Sequence, residues 1–311
     1  MKLRNLAVVP VMAAAVFGTT AATWPSSPTP LPQAPPALTA SALSARYAAD
    51  AQAIGSAERT AEGDGNTQLA GALATLRTQH VLFFSAKGQG LAAMVLGNLA
   101  TATRVAILVP GSDTTLATFF SRGPSAPGGG AFALWAEAHG LDPEAGTRLA
   151  IIAWLGYPAP AMLSTAVLTS GDAGQGAQAL RPLVIALARH GDQVALLCHS
   201  YGSVVCGLAA PHLPVTDIAA FGSPGMDASS VISLDTSARV WAGRESSDPV
   251  KWVPHIRLFG LGFGADPMSP DFGARIFATG DGGHSGYLDP GSVSLRNLTY
   301  IALGDAAAVT R

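Results

Sequence analysis

Charged residues are scarce in this chain, because they make up only 12% of its 311 residues, about half the share of ordinary soluble domains. The 18 lysines and arginines form no cluster that would neutralise nucleic-acid phosphates, so we expect no nucleic-acid partner. Only two cysteines are present, which excludes a small scaffold held together by many disulfides. With 49% hydrophobic residues, the composition predicts a globular domain with one core.

Motifs for metals and nucleotides are also missing from the sequence. No group of His, Cys, Asp and Glu has the spacing of metal ligands, and neither a Walker loop nor a dinucleotide fingerprint occurs. The triple glycine Gly128–Gly130 does not directly follow a predicted strand, which favours a flexible loop over a phosphate-binding loop. We therefore expect neither a metal nor a cofactor.

The N-terminus has the pattern of an export signal. Lys2 and Arg4 precede an apolar run from Leu6 to Gly18, and small residues follow up to Thr23. Such a run is typical of a secretory signal peptide and is too short for a membrane span. We predict that residues 1–23 are removed, that the mature chain is secreted, and that no stable membrane span remains after processing. The alternative is an uncleaved N-terminal anchor or helix.

Composition divides the remaining chain into three parts. Residues 24–36 are rich in proline and serine, which predicts an extended linker. Residues 37–78 are rich in alanine and poor in β-branched residues, which favours two helices with a break near Gly63–Asn66. Residues 79–311 form the main predicted domain.

Eight short apolar runs in the main domain predict eight β-strands. They are residues 80–85, 91–96, 104–109, 149–154, 193–198, 217–221, 239–242 and 275–278, with helical stretches at 131–139, 173–190, 202–211 and 291–303. The first two runs, separated by Lys87–Gly90, are typical of a hairpin, and a helix is the alternative for the second run. The later runs are continuously apolar and alternate with helices, which indicates a parallel sheet covered on both faces.

The most informative stretch is 196–205, where an apolar strand leads into an apolar helix through the run CHSYGS (198–203). A tight turn of this kind raises a serine hydroxyl above the sheet, and the helix N-terminus behind it favours developing negative charge. Small residues are needed two positions before and after the serine, and Cys198 and Gly202 meet that need. Ser200 is therefore the predicted nucleophile, and the alternative is that it only caps the helix.

Together with this turn, residues 80–303 resemble the α/β-hydrolase superfamily, and especially a group of mostly uncharacterised actinobacterial serine hydrolases. The runs that carry the resemblance are CHSYGS (198–203), VPG (109–111), WLGY (154–157), GSPG (222–225) and HSGY (284–287). The resemblance implies an α/β-hydrolase fold, with a mostly parallel eight-stranded sheet, helices on both faces and an N-terminal helical extension. Cys198 departs from the superfamily pattern, in which this position is usually glycine.

The resemblance also implies a catalytic triad in the chain order serine, acid, histidine. His284 lies in a glycine-rich loop after the last predicted strand and is the expected base, with His255 as the alternative, while His212 comes too early in the chain. Asp248 follows the seventh predicted strand and is the expected acid. The alternative acids are Asp227, Glu245 and Asp266.

An oxyanion site needs two backbone N–H groups that point at one position. The resemblance assigns one of them to Tyr201, directly after the nucleophile. The second is expected in the loop after the third strand, where Ser112 is favoured and Asp113 is the alternative, because Pro110 has no N–H to donate.

Cys198 and Cys206 lie eight positions apart across the nucleophile turn. Because the helix doubles back along the strand, the two sulfurs are expected to lie near each other. An exported protein favours a disulfide, and two buried free thiols remain the alternative.

These features predict a secreted serine hydrolase that cleaves carboxylic esters of small molecules or lipids through an acyl-enzyme intermediate. The apolar segments 157–172 and 252–264 are expected to line its pocket or to pack as ordinary loops. The alternatives are an amidase, peptidase or acyltransferase with the same triad, and a non-catalytic binding protein of this fold.

Overall fold

A computed structural model of the protein describes residues 37–253 and 262–311. The predicted signal peptide and linker, as well as the alternative base His255, lie outside the described residues.

The N-terminal extension consists of two helices, α1 (Ala40–Gly63) and α2 (Thr67–Arg77). Asn66 lies directly before α2 and caps it. Its side chain accepts a hydrogen bond from the Leu69 N–H at 3.1 Å, which stabilises the start of this helix. Both helices contribute buried side chains to one face of the sheet, which packs the extension onto the main domain. Within the described residues, no helix combines the length and the apolar character that a membrane crossing requires.

The centre of the molecule is an eight-stranded sheet with the strand order β1-β2-β4-β3-β5-β6-β7-β8. The strands are β1 (His80–Ser85), β2 (Leu91–Leu96), β3 (Arg104–Val109), β4 (Leu149–Leu155), β5 (Gln193–His199), β6 (Asp217–Phe221), β7 (Arg239–Gly243) and β8 (Arg275–Ile276). β2 pairs antiparallel with both β1 and β4, and every other neighbouring pair is parallel. The predicted mostly parallel sheet with an antiparallel hairpin at one edge is confirmed.

Helices cover both faces of the sheet. They are α3 (Pro127–Leu141), α4 (Pro143–Thr147), α5 (Gly171–His190), α6 (Gly202–Ala209) and α7 (Val293–Leu303). In β3, Val105 and Ile107 pack with the side chains of α5 and α6, while Ala106 and Leu108 pack with those of α3 and α7. Because both faces are buried, the central strands carry apolar residues at successive positions instead of alternating with polar ones.

The structure corrects the prediction of a flexible loop at Gly128–Gly130. These glycines lie in the first turn of α3, which Pro127 begins. Proline suits the first helical position because its backbone is already close to helical geometry. The glycines are needed for close packing, since a Cβ atom on Gly129 would lie only 1.9 Å from the Gly123 carbonyl oxygen. The last strand is also shorter than predicted, because β8 contains only Arg275 and Ile276.

Gly207 in α6 offers a test of how tightly this helix is packed. A Cβ atom at this position would lie 1.9 Å from the backbone oxygen of Met226. In an open helix, Gly→Ala stabilises by up to about 1 kcal/mol. We expect Gly207→Ala to lower the free energy of unfolding instead, by about 1–3 kcal/mol, because the backbone must shift to accept the methyl group. Urea unfolding measures this change.

Gly140→Ala is the matched control, because Gly140 lies in α3 with no atom within 4 Å of the added Cβ. It should leave the stability unchanged or raise it. An equal gain in stability for both variants would contradict the tight packing of α6.

Candidate active site

Ser200 lies in the turn between β5, which ends at His199, and α6, which begins at Gly202. Its φ angle is +52°, a left-handed conformation that costs energy for a residue with a side chain. The Ser200 N–H donates to the Phe221 carbonyl oxygen at 3.0 Å, which ties the turn to the neighbouring strand. At Gly202 a Cβ atom would lie 2.5 Å from the Val109 carbonyl oxygen, so only glycine fits this position without a shift. The turn therefore holds the serine hydroxyl at the carboxyl end of the sheet.

Cys198 and Cys206 form a disulfide that joins the end of β5 to the middle of α6. Both residues are fully buried. Ser200 lies inside the short loop that this bond closes, so the disulfide restrains the two elements that hold the serine.

The side chain of His284 lies beside Ser200. Its Nε2 atom is 2.9 Å from the Ser200 Oγ atom, and its Nδ1 atom is 3.0 Å from each carboxylate oxygen of Asp248. The histidine comes from the loop after β8, and the aspartate from the loop after β7. The three side chains favoured by the sequence thus form one continuous hydrogen-bonded chain in the structure.

Asp248 is fully buried, and three groups bind its carboxylate. Besides His284, the Val250 N–H donates to Oδ1 at 2.8 Å, and the Tyr287 hydroxyl donates to Oδ2 at 2.6 Å. Burial alone would raise the pKa of Asp248, but these hydrogen bonds to the charged form outweigh it and hold the pKa below its ordinary value. Asp248 is therefore ionised at neutral pH and aligned with the imidazole.

Two further residues support this chain of hydrogen bonds, and the sequence patterns above do not predict their roles. The Tyr287 hydroxyl also accepts a hydrogen bond from the Glu245 N–H at 3.0 Å, which fixes it opposite Asp248. The His199 Nε2 atom lies 2.9 Å from the backbone oxygen of His284. Tyr287 belongs to the HSGY run, and His199 to the CHSYGS run, so their motifs were visible but their contacts were not.

His199 differs from His284 in its surroundings. Burial, reinforced by the neighbouring His284, lowers the pKa of His199 to about 4. The ring is consequently neutral at physiological pH, and its Nε2–H can donate to the His284 carbonyl oxygen. His199 therefore anchors the loop that carries the candidate base.

The alternative acids have other partners in the structure. Asp266 forms an ion pair with Arg244 at 3.0 Å. Glu245 is buried, and its Oε1 atom accepts a hydrogen bond from Ser294 at 3.3 Å, while burial raises its pKa. The backbone N–H of Asp227 donates to the Phe263 carbonyl oxygen at 2.7 Å.

Of the other two histidines downstream of Ser200, only His212 lies in the part of the chain that the structure describes. His212 lies 3.1 Å from Asp235, with four fifths of its side chain exposed to solvent. His255 falls in the part of the chain that the structure does not describe.

The loop after β3 passes directly beside Ser200. A Cβ atom on Gly111 would lie 2.6 Å from the Ser200 Cβ atom, so glycine permits this approach. The Asp113 N–H donates to the Pro160 carbonyl oxygen at 3.0 Å, which leaves it unavailable for an oxyanion. By contrast, the N–H groups of Ser112 and Tyr201 have no acceptor among residues 37–253 and 262–311. The geometry therefore favours the first-choice pair, Ser112 and Tyr201.

Two cavities open beside Ser200, and both also contact Ser112, Met162 and His284. The apolar cavity has a volume of about 270 Å³, and its further lining includes Val167, Leu168, Pro224, Val250, Val253 and Phe263. The polar cavity has a volume of about 80 Å³, and its further lining includes Asp113, Thr114, Thr118, Arg122, Ser125 and Ser285. Parts of the predicted pocket segments 157–172 and 252–264 thus contribute to the apolar cavity. Among the described residues, no three His, Cys, Asp or Glu side chains are grouped as metal ligands.

Comparison with curated proteins finds relatives without a known function. The chain is 30% identical over 255 residues to an uncharacterized protein of Mycobacterium tuberculosis, found in two strains. The match covers 71% of this chain but only 38% of the relative, so the relative is much longer than the matched region.

The solved structures that match this chain share little sequence with it. Dienelactone hydrolase from Anabaena variabilis has 15% identity and a TM-score of 0.44, covering 75% of this chain and 97% of that one. Esterase LipW from Mycobacterium marinum has 14% identity and a TM-score of 0.41, covering 87% and 92%.

A family model described as alpha/beta hydrolase matches residues 85–258, more than half of the chain. The matched region includes β2 to β7, the nucleophile turn and Asp248. The eight strands, their mostly parallel directions and the helices on both faces agree with the fold that the sequence predicts. The protein is therefore a member of the alpha/beta-hydrolase family.

Proposed function

We propose that this protein is a serine hydrolase that cleaves carboxylic esters through an acyl-enzyme intermediate, with Ser200, His284 and Asp248 as its catalytic triad. The observation that carries the proposal is the hydrogen-bonded chain from the Ser200 Oγ atom through His284 to Asp248, with both links at 2.9–3.0 Å. These contacts match the arrangement of nucleophile, base and orienting acid that activates a serine hydroxyl.

In the first half of the reaction, Ser200 attacks the carbonyl carbon of the ester. His284 Nε2 accepts the hydroxyl proton and then donates it to the oxygen of the departing alcohol. Asp248 accepts a hydrogen bond from the Nδ1–H of His284, which leaves Nε2 as the atom that accepts the serine proton. The carboxylate then stabilises the imidazolium that forms. Its ionised state, maintained by hydrogen bonds, suits this role.

The tetrahedral intermediate places a negative charge on the former carbonyl oxygen. The N–H groups of Tyr201 and Ser112 would bind this oxygen, and each donor of this kind contributes about 2.7–4 kcal/mol to lowering the barrier. In the second half, His284 activates a water molecule, which releases the acyl group from Ser200 as a carboxylic acid.

The strained conformation of Ser200 favours an enzyme over a binding protein of the same fold. A helix cap does not require a φ angle of +52°, whereas exposure of a nucleophile at a sharp turn does. Amide hydrolysis and acyl transfer by the same residues are secondary possibilities, and no contact described above favours them over ester cleavage.

We further propose that the protein acts outside the cell. The charged and apolar pattern of residues 1–23 supports export, and the Cys198–Cys206 bond is of a kind that persists in oxidising compartments.

Labelling by a small fluorophosphonate probe tests the triad. We expect wild type to react and Ser200→Ala to lose all labelling, because the probe bonds covalently to an activated serine. Asp248→Asn should lower kcat on p-nitrophenyl esters by about 10⁴-fold, since an amide favours the wrong tautomer of His284.

Asp271→Asn, at an exposed residue, is the control and should retain wild-type kcat. Equal labelling of wild type and Ser200→Ala would refute the nucleophile assignment. A wild-type protein that neither labels nor hydrolyses any ester would favour a binding role.

Export is tested by expressing the full chain in a host that secretes proteins with such signals. We expect protein in the medium to begin after Ala22 or Thr23 and to contain no thiol that reacts under denaturing, non-reducing conditions. Val8→Asp should keep the protein in the cells, because it interrupts the apolar run. Retention of residues 1–23 in a wild-type protein that stays in the cell would contradict the proposal.

The low pKa of His199 makes a prediction about pH and stability. Unfolding restores an ordinary pKa near 6.5, so the unfolded chain binds more protons between pH 6.5 and 4 and stability falls as the pH falls through this range. His199→Gln keeps a donor for the His284 carbonyl but does not titrate.

Between pH 7 and pH 4.5, wild type should therefore lose about 2 kcal/mol more unfolding free energy than His199→Gln. Urea unfolding at both pH values gives this difference. Parallel losses in the two proteins would show that His199 does not titrate abnormally.

A further inference from the structure

Ser200 lies where an apolar cavity and a polar cavity meet. The apolar cavity and the polar cavity both contact Ser200, Ser112 and His284. An ester carbon bonded to Ser200 carries two substituents besides its oxyanion, namely the acyl chain and the alcohol. One cavity is thus available to each half of the ester.

The apolar cavity suits a hydrocarbon chain. Of the twelve described residues that line it, eight are aliphatic, proline, methionine or phenylalanine. The volume of about 270 Å³ is several times that of a methylene group, roughly 30 Å³, so the cavity has room for a chain of several carbon atoms. Leu168 lines this cavity with more than half of its surface exposed, so a bound chain would cover apolar surface that now contacts solvent.

The polar cavity contains one charge of each sign. Asp113 accepts a hydrogen bond from the Met162 N–H at 2.9 Å through its Oδ1 atom, while none of the described residues donates to its Oδ2 atom. Arg122 has no carboxylate partner among the described residues. An anionic group would meet Asp113, and a cationic group would meet Arg122, so a neutral group is favoured over either.

A hydroxyl group satisfies both of these side chains, because it donates to a carboxylate and accepts from a guanidinium. The buried Ser112 Oγ atom adds a further polar group with no partner in the described part of the chain. Thr114, Thr118 and Ser125 surround these groups with additional hydroxyls. The lining therefore matches a small alcohol that carries more than one hydroxyl.

We propose that the substrate is an ester of a medium-chain fatty acid with a small polyhydroxy alcohol such as glycerol, with the acyl chain in the apolar cavity and the alcohol in the polar cavity. This inference rests on the proposed ester hydrolase function and names its substrate class.

The assignment of the two halves fixes what each step releases. Ser200 Oγ bonds to the acyl carbon, the bond from that carbon to the alcohol oxygen breaks, and His284 returns the proton to this oxygen. The polyol leaves from the polar cavity while the acyl chain stays in the apolar cavity. Water then cleaves the bond to Ser200 and releases the fatty acid.

Four esters, each used below its solubility limit, test this assignment by their kcat/KM values in a pH-stat assay. They are 1-monooctanoylglycerol, methyl octanoate, 1-monoacetylglycerol and octyl glycerate, whose acid is polar and whose alcohol is apolar. We expect 1-monooctanoylglycerol to exceed each of the others by at least tenfold. A higher value for octyl glycerate would overturn the assignment of the halves, and equal values for all four would overturn both subsites.

Variants in each cavity connect the preference to the structure. Leu168→Glu should lower kcat/KM for 1-monooctanoylglycerol at least tenfold more than for 1-monoacetylglycerol. Leu163→Glu is the matched control, since Leu163 is fully exposed and lines neither cavity, and it should behave as wild type. Equal effects of the two substitutions would refute the apolar subsite.

Arg122→Gln should lower kcat/KM for 1-monooctanoylglycerol about three- to tenfold more than for methyl octanoate. Arg148→Gln, at an exposed arginine that lines neither cavity, should show no such difference. An unchanged ratio of the two esters in Arg122→Gln would refute the polar subsite.

Fluorophosphonate labelling of wild type and Ser200→Ala distinguishes a wrong substrate class from a wrong serine hydrolase function. If only wild type labels but the ester and variant ratios stay near one, the substrate class is wrong and the serine hydrolase function stands. If wild type and Ser200→Ala label alike, the proposed function itself fails.

Discussion

The close contact between the start of α6 and the end of β3 is the constraint from which the candidate site follows. Gly202 lies against the carbonyl oxygens of Val109 and Pro110, where no side chain fits. This contact brings the helix N-terminus directly behind Ser200 and draws the loop after β3 beside it. Ser200 and both candidate oxyanion donors therefore derive their positions from one glycine contact, and the left-handed conformation of Ser200 is its cost.

Glu245 and Asp248 lie in one loop, and the hydrogen-bond donors around each carboxyl group determine the direction in which its pKa shifts. Burial favours the neutral form of both Glu245 and Asp248. Asp248 is bound by an imidazole, a phenol and a backbone N–H, which together favour its ionised form. Among the described residues, only the Ser294 hydroxyl donates a hydrogen bond to the Glu245 carboxyl group. The effect of burial outweighs this one bond and raises the pKa of Glu245. Tyr287 contacts both residues and links the candidate acid to the loop of the candidate base.

Much of the fold could be predicted from the sequence, because each central strand is buried on both faces and appears as an uninterrupted apolar run. Gly128–Gly130 was predicted wrongly, because the need for glycine there comes from a close contact with the Gly123 backbone and not from a turn. The roles of Tyr287 and His199 depend on contacts across 39 and 85 positions, which no local pattern reveals. Likewise, the choice of Ser112 over Asp113 depends on the distant Pro160 carbonyl oxygen.

The candidate triad residues and the walls of the apolar cavity come from different parts of the chain. Ser200, Asp248 and His284 sit in loops directly after β5, β7 and β8, whereas Val167 and Leu168 belong to the connection between β4 and α5. A change of length or composition in that connection would alter the proposed acyl subsite without moving the strand ends. On this proposal, relatives with the same triad residues are free to diverge in the acids they accept, and this connection is the segment to exchange when a different chain length is wanted.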